Sequence, residues 1–344
     1  MMNNTSVSDS LAPIPQGVTV TVLVLTAVFL VAGTYGNAKV FLLLERRPDL
    51  RKVPHFLLAN LSAIGLLASI VVMPIAISIA ARTFSMKQQD GMELTVLCKI
   101  RLVLSFFCST VNAITLSLMA MDRHDCICRP LRRRLHPDNV KKVLLIVWLM
   151  ATVIFVIFAI LLGMDESQCR QYDPFNLISH SSTSSGFFNA YITIFGTVFN
   201  VSAILIIMVT FIRVVRGLRS SPLPQSRSLH RRYESQITKL TYKTGAIFIL
   251  SWFPVIISHS TARFFAPGSE LTLSLKLLTT AFTGFAYASN PILHYKMLKT
   301  CTTSPTLTMS AVVTTQSSAE AREDGTRSAF TAYHSDEFYM ESKL

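Results

Sequence analysis

Two opposite charges stand side by side near the end of a long apolar run: Asp122 and Arg123, followed by His124. The run opens at Cys98, with Arg101 just inside it. About 24 residues at 1.5 Å rise make roughly 36 Å of helix, enough to cross a bilayer with some tilt. An arginine so near the end of such a span is costly unless it snorkels or is paired, and Asp122 is its first partner. Other chemistry is not offered. No nucleophile–base set and no His/Cys group with metal spacing is present, so neither enzymatic activity nor a metal site is expected.

The elements that must position this pair are set by composition. The chain is 51% hydrophobic and 15% charged, well below the quarter or so usual in soluble domains, and its mean hydropathy is +0.46. The formal charge of +13 could suit a nucleic-acid binder, so its distribution decides. Lys and Arg cluster in alternate connections. Arg46, Arg47, Arg51 and Lys52 lie in the first; Arg129, Arg132, Arg133, Arg134, Lys141 and Lys142 in the third. The fifth carries eight, from Arg213 to Lys243. The even connections hold only Arg82, Lys87, Arg170 and Arg263. This is the positive-inside asymmetry, which puts the N-terminus outside and makes nucleic acid unnecessary.

Seven apolar spans are expected at about 18–44, 54–80, 96–123, 143–163, 187–212, 244–263 and 272–295. Only helices or closed barrels satisfy the backbone in lipid, and no alternating ten-residue pattern suggests a barrel. The fold class is therefore all-α, a seven-helix membrane bundle with the C-terminus inside. Residues 1–17 read as an extracellular tail without a cleaved leader, and 18–299 as the bundle with a short membrane-proximal helix. Residues 300–344, rich in Ser, Thr and acids, read as a disordered cytosolic tail. Asn3 and Asn4 begin overlapping glycosylation sequons. Lys39 is isolated inside span one and would snorkel.

The cysteines divide by compartment. Cys98 and Cys169 both face the oxidising side, and a disulfide between them would pin the outer loop over the bundle mouth. Cys126 and Cys128 lie just inside and should stay reduced. Cys301 suits reversible palmitoylation, and Cys108 suits packing.

At this point the motifs resemble those of the rhodopsin-like (class A) G protein-coupled receptors. Gly36-Asn37, Leu61 and Met73-Pro74 are similar to family positions in spans one and two, and Cys98 with Cys169 matches the outer disulfide. Asp122-Arg123-His124, Ile127 and Pro130-Leu131 resemble the D-R-Y motif and the loop after it. Trp148, Phe248 with Ser251-Trp252-Phe253-Pro254, and Asn290-Pro291-Ile292-Leu293-His294 resemble the signatures of spans four, six and seven. The resemblance implies a plasma-membrane receptor that transduces an extracellular signal to heterotrimeric G proteins. Arg123 would rest against Asp122 and Glu234, Pro254 would let span six pivot, and Trp252 would sense the ligand. On opening, Arg123 and Leu131 would meet the G protein, while Phe248, Asn290 and Pro291 belong to the same switch. The alternative is a receptor-shaped protein that does not activate G proteins, a scavenger or dimer partner.

Departures from the family pattern bear on switching. The sodium-binding aspartate of span two is Gly65, so restoring it is expected to create sodium-dependent affinity. Asn112 and Asn290 remain and are expected to hydrogen-bond each other. The tyrosines of spans five and seven are Phe211 and His294, the span-five proline is Ala203, and the tyrosine after the arginine is His124. Altered switching follows: high basal activity, weak coupling, or pH sensitivity through His124 and His294.

The outer half of the bundle is the expected pocket. Arg101, Ser105, Ser109 and Asn112 recur at helical spacing, and Phe195, Phe199, Trp252, His259, Lys276 and Thr280 complete a lining. Ser105 stands where amine receptors carry an aspartate and Gly284 where opsins carry the retinal lysine, so neither subfamily fits and no cofactor is implied. Arg101 and Lys276 would hold an acidic lipid, metabolite or peptide, unless both snorkel to the rim. The Ser/Thr run from Thr302 to Ser318 suits arrestin recruitment. Ser342-Lys343-Leu344 resembles both a peroxisomal address, which a seven-span protein does not use, and a ligand for a PDZ protein.

Overall fold

The computed structural model describes residues 15–46, 52–84, 92–129, 132–163, 201–217, 228–264 and 270–303. Helix α1 spans Gln16–Glu45. Its buried residues, Val22, Thr26, Phe29, Gly33, Asn37 and Val40, recur every three or four positions and form one stripe against the protein. Val20, Val24, Val28, Val31, Tyr35 and Leu42 form the opposite, exposed stripe. An apolar face of that length belongs in lipid rather than water.

The second span begins with α2, Val53–Leu67, whose Pro54 sits in the first turn, where its missing N–H is not needed. The helix then widens at Ala68–Val72 and resumes as α3, Met73–Phe84. The cause is Pro74. It cannot donate to the carbonyl four residues back and its ring crowds that group, so the turn before it opens and Met73 donates to the Ala68 carbonyl. Helix α4, Met92–Cys128, is the axis of the bundle: 61% of its apolar window is buried, against 17–39% for the other membrane-length helices described. Helix α5, Pro137–Gly163, lies at the edge and exposes Leu145, Leu149, Val153 and Ile160. Helix α6 covers residues 201–217.

Helix α7, Ser228–Phe264, contains Pro254; at 37 residues it is about 55 Å long and projects beyond the bilayer. The last span is two helices, α8 Glu270–Phe282 and α9 Gly284–Thr303. One unbroken span over 272–295 was expected. The ladder is interrupted at Thr283, whose hydroxyl donates to the Thr280 carbonyl at 2.7 Å just before the poor helix former Gly284. Beyond that break α9 continues to Thr303, with nothing among the described residues that sets off a separate membrane-proximal helix.

In lipid, packing and interhelical hydrogen bonds hold helices together, because hydrocarbon chains compete for apolar surface. Trp148 Nε1 donates to Asn60 Oδ1 at 2.8 Å, and Asn60 Nδ2 donates to Thr115 Oγ1 at 2.8 Å. Three helices, α5, α2 and α4, are joined by that chain. Above it, Phe107 sets its ring edge against Trp148 and Phe155, with centroids 5.4 and 5.5 Å away. Asn37 Nδ2 donates to the carbonyls of Gly33 and Tyr287 at 2.9 and 3.0 Å and so ties α1 to α9. Gly36 permits that approach, since a Cβ there would stand 2.6 Å from Pro291 Cγ.

Candidate functional site: an apolar cavity above a buried ion pair

A cavity of about 150 Å³ lies among α1, the wide turn of the second span, α4, α7 and the last span. Four of the expected pocket residues line it: Arg101, Ser105, Trp252 and Thr280. Arg101 is only 5% exposed. Ser109 does not reach the cavity; Cys108 does. At 100° per residue, position 108 returns to the face of Arg101 while 109 is rotated about 80° from it. Ser109 is instead buried among the helices. Lys276 is half-buried on α8, off the cavity wall, so Arg101 and Lys276 do not converge there.

Phe195, Phe199, Cys169, Leu131, Asn3, Asn4 and the Ser/Thr tail beyond Thr303, with its Ser342-Lys343-Leu344 end, lie outside the described residues. His259, Glu234 and Cys301 are helical, but their side chains are not described. Cys98 is disulfide-bonded, while Cys108, Cys126 and Cys128 are in no disulfide. The lining also includes Thr26 and Phe29 of α1, Met73, Tyr287 and Gly284. Sequence reasoning missed the first four. A lone hydroxyl in the apolar face of span one was the available signal at Thr26.

Beneath the cavity, Trp252 meets Phe248 with ring centroids 6.1 Å apart, and Phe248 is buried in the inner core. Further in, Asp122 and Arg123 are both almost fully buried. Arg123 Nε donates to Asp122 Oδ2 at 3.1 Å, and Arg123 Nη2 pairs with the same oxygen. Asp122 is shared. Its Oδ1 accepts from Arg133 Nη2 at 3.3 Å, which brings the basic loop onto the Asp122–Arg123 pair.

A second acid went unread in the sequence. Asp125 is 2% exposed; it meets His124 Nδ1 at 3.2 Å and accepts from the Arg134 backbone N–H at 3.4 Å, with Arg134 Nε at 3.7 Å. The run Arg132-Arg133-Arg134 is thus anchored by two buried carboxylates, one per arginine for the last two.

Several expectations about the middle of the bundle need correction. Asn112 and Asn290 do not bond each other: both amide atoms of Asn112 and Oδ1 of Asn290 lack partners among the described residues. Helix α7 packs against both α4 and α9. The place of the missing aspartate is not vacant. A Cβ on Gly65 would stand 2.5–2.7 Å from three side-chain atoms of Asn37. An aspartate added there alone collides with the amide that ties α1 to α9, so it does not simply restore a cation site. His294 is fully buried, with Nε2 3.4 Å from Thr244 Oγ1. Phe211 is 41% exposed and meets Tyr242 edge-on at 4.7 Å.

The family model described as 7 transmembrane receptor (rhodopsin family) matches residues 36–294. The chain belongs to that family. Among its relatives is the neuropeptide Y receptor type 2 of Cavia porcellus, 24% identical over 76% of this chain and 69% of its own. The growth hormone secretagogue receptor type 1 of Mus musculus is 25% identical over 86% and 83%. The neuropeptides B/W receptor type 1 of Homo sapiens is 24% identical over 83% and 86%. The fold matches the crystal structure of squid rhodopsin with a TM-score of 0.65 and 16% identity, over 87% of this chain and 89% of that one. The rhodopsin-family chain is a receptor and not an enzyme, and a multi-pass protein of the plasma membrane.

Proposed function

We propose that this receptor carries an extracellular peptide signal to a heterotrimeric G protein, and that Arg101 binds an acidic group of the peptide. The named ligands of two of the relatives, neuropeptide Y and neuropeptides B/W, support a peptide over the lipid or metabolite readings. A nearly buried guanidinium on an otherwise largely apolar wall supports an anionic anchor, because carboxylates meet arginine with two parallel hydrogen bonds. Cys98 would close its bond to Cys169 and hold the outer loop over this cavity.

One observation carries the coupling. Trp252 both lines the cavity and touches Phe248, so a ligand that moves the indole acts directly on the inner core of α7. Pro254, inside the same helix, removes one backbone hydrogen bond and provides the flex point. Outward movement of α7 frees Arg123 for the G protein, with Glu234 and Leu131 as the further contacts of the switch. Ligand and partner then bias one two-state equilibrium. Arrestin at the phosphorylated tail and a PDZ protein at Leu344 complete the proposed partners.

The second reading, a receptor that does not activate G proteins, is favoured by the absence of a phenol at Phe211 and His294. Nucleotide release from purified G proteins separates the two, measured for wild type, Arg123→Ala and Arg101→Ala against a peptide panel. The proposal expects Arg123→Ala to abolish release. It expects Arg101→Ala to weaken acidic peptides by about tenfold or more, a charged hydrogen bond being worth about 1.5–3 kcal/mol. Release that never exceeds the receptor-free rate supports the second reading, and unchanged potency in Arg101→Ala sinks the anion anchor.

A further inference from the structure

Two polar groups in the cavity wall have no place in the anion anchor. The indole N–H of Trp252 and the hydroxyl of Thr280 are both buried, and neither makes a hydrogen bond among the described residues. Thr280 stands out beside other threonines of the bundle. A helical threonine commonly returns its hydroxyl to a carbonyl three or four residues back. Thr279 donates to Leu275 at 2.7 Å and Thr283 to Thr280 at 2.7 Å. Thr26, also in the lining, donates to Val22 at 2.7 Å. The Thr280 hydroxyl and the Trp252 indole are uncommitted, and their residues share one cavity.

A buried polar group without a partner is expensive once water is driven out. The rest of the wall offers little to either, being built largely from residues such as Phe29, Leu102, Phe106 and Met73. At about 150 Å³ the cavity holds a group about the size of a benzene ring. A hydrocarbon of that size would seal both atoms off unbonded. A carboxylate would satisfy them but add the cost of a buried charge. Its cation, Arg101, is the first α4 residue of the lining, with Ser105 and Cys108 one and two turns further in. An uncharged amide suits both atoms. Its oxygen accepts from the indole, which only donates, and the hydroxyl takes either role with the amide oxygen or N–H.

We propose that Trp252 Nε1 and the Thr280 hydroxyl form a subsite for an uncharged amide at the inner end of the ligand. The pair determines specificity, because a group of the same shape without the amide leaves both atoms unbonded. The inference rests on the peptide reading and deepens it: Arg101 takes an acidic group of the peptide, and this subsite takes an amide. The indole that receives the amide is the one that touches Phe248, so the bond forms at the point where the cavity meets the inner core.

The test uses the full-length receptor in micelles with isotope-labelled tryptophan. The chain has two tryptophans, and Trp148 already donates to Asn60, so two indole N–H signals are expected, assigned with Trp252→Phe. Benzamide is the probe. Cumene has its shape without the amide, and benzoate is its charged counterpart. Benzamide should move the Trp252 proton downfield, as hydrogen bonding does, and leave Trp148 in place; cumene should not. Thr280→Val removes only a buried, unbonded hydroxyl and so keeps the fold. It should weaken benzamide about tenfold and leave cumene unchanged, while Thr280→Ser restores benzamide. The proposal is overturned by no downfield shift at Trp252, by equal benzamide affinity in wild type and Thr280→Val, or by a benzoate shift as large as that of benzamide. Benzamide carries no charge, so such a failure leaves the Arg101 anchor standing; that anchor fails separately, by unchanged acidic-peptide potency in Arg101→Ala.

Discussion

Gly65→Ala is the sharpest small perturbation available in this bundle. The added methyl would fall 2.5–2.7 Å from the side-chain amide of Asn37, which is 1% exposed and bonded to two carbonyls. Two outcomes compete. If Asn37 stays, the clash is an overpacked core and costs about 1–3 kcal/mol. If the amide swings away, the buried polar group loses its partners at about 1–3 kcal/mol and the α1–α9 tie is cut. Alanine's better helix propensity returns about 1 kcal/mol. The expected net loss is about 1 kcal/mol, a fall of roughly 2–4 °C in thermal midpoint. The assay is thermal unfolding of purified receptor, repeated in an Asn37→Ala background. There the obstructing amide is gone, and the methyl should cost almost nothing. An equal penalty in both backgrounds refutes the claim that Asn37 occupies the site, as does no penalty in either.

Two more predictions follow from the polar groups at the inner half. Arg133→Ala should lower basal nucleotide release about two- to fivefold. Arg133 competes with Arg123 for Asp122 and would cover that carboxylate when Arg123 leaves, but at 35% exposure its pair is worth only about 0.5–1 kcal/mol. A rise in basal release would reverse the assigned role. Asn60→Ala strands the Trp148 indole N–H and should destabilise the receptor by about 1–3 kcal/mol, read as lower thermal stability with ligand affinity retained at low temperature.

Charge placement and apolar length made the bundle legible before any coordinates. Alternate basic loops and membrane-length spans are imposed by the bilayer itself, and they do not depend on how side chains meet. Cys98 and the Asp122-Arg123 pair were legible for the same reason, since each is an expensive residue at a defined depth. What escaped was set by neighbours. Ser109 gave way to Cys108 because a quarter-turn separates lining from packing. Asp125 was hidden in a run read only for its positive charge. Gly65 read as an empty aspartate site, yet the space belongs to Asn37, a residue 28 positions earlier on another helix. The break at Thr283, beside Gly284, falls inside an apolar run whose periodicity does not record it.

The widened turn at Ala68–Val72 has a consequence for anyone transferring positions from relatives at about a quarter identity. One extra residue in a helical turn advances the phase of everything after it by about 100°. Met73 and Ala76, both beyond that turn, line the cavity. Aligned to a partner whose second span is regular, every residue from Met73 onward would be credited with its neighbour's direction. A ligand-contact map copied across that point would be wrong by a quarter-turn on one wall while remaining correct on the others.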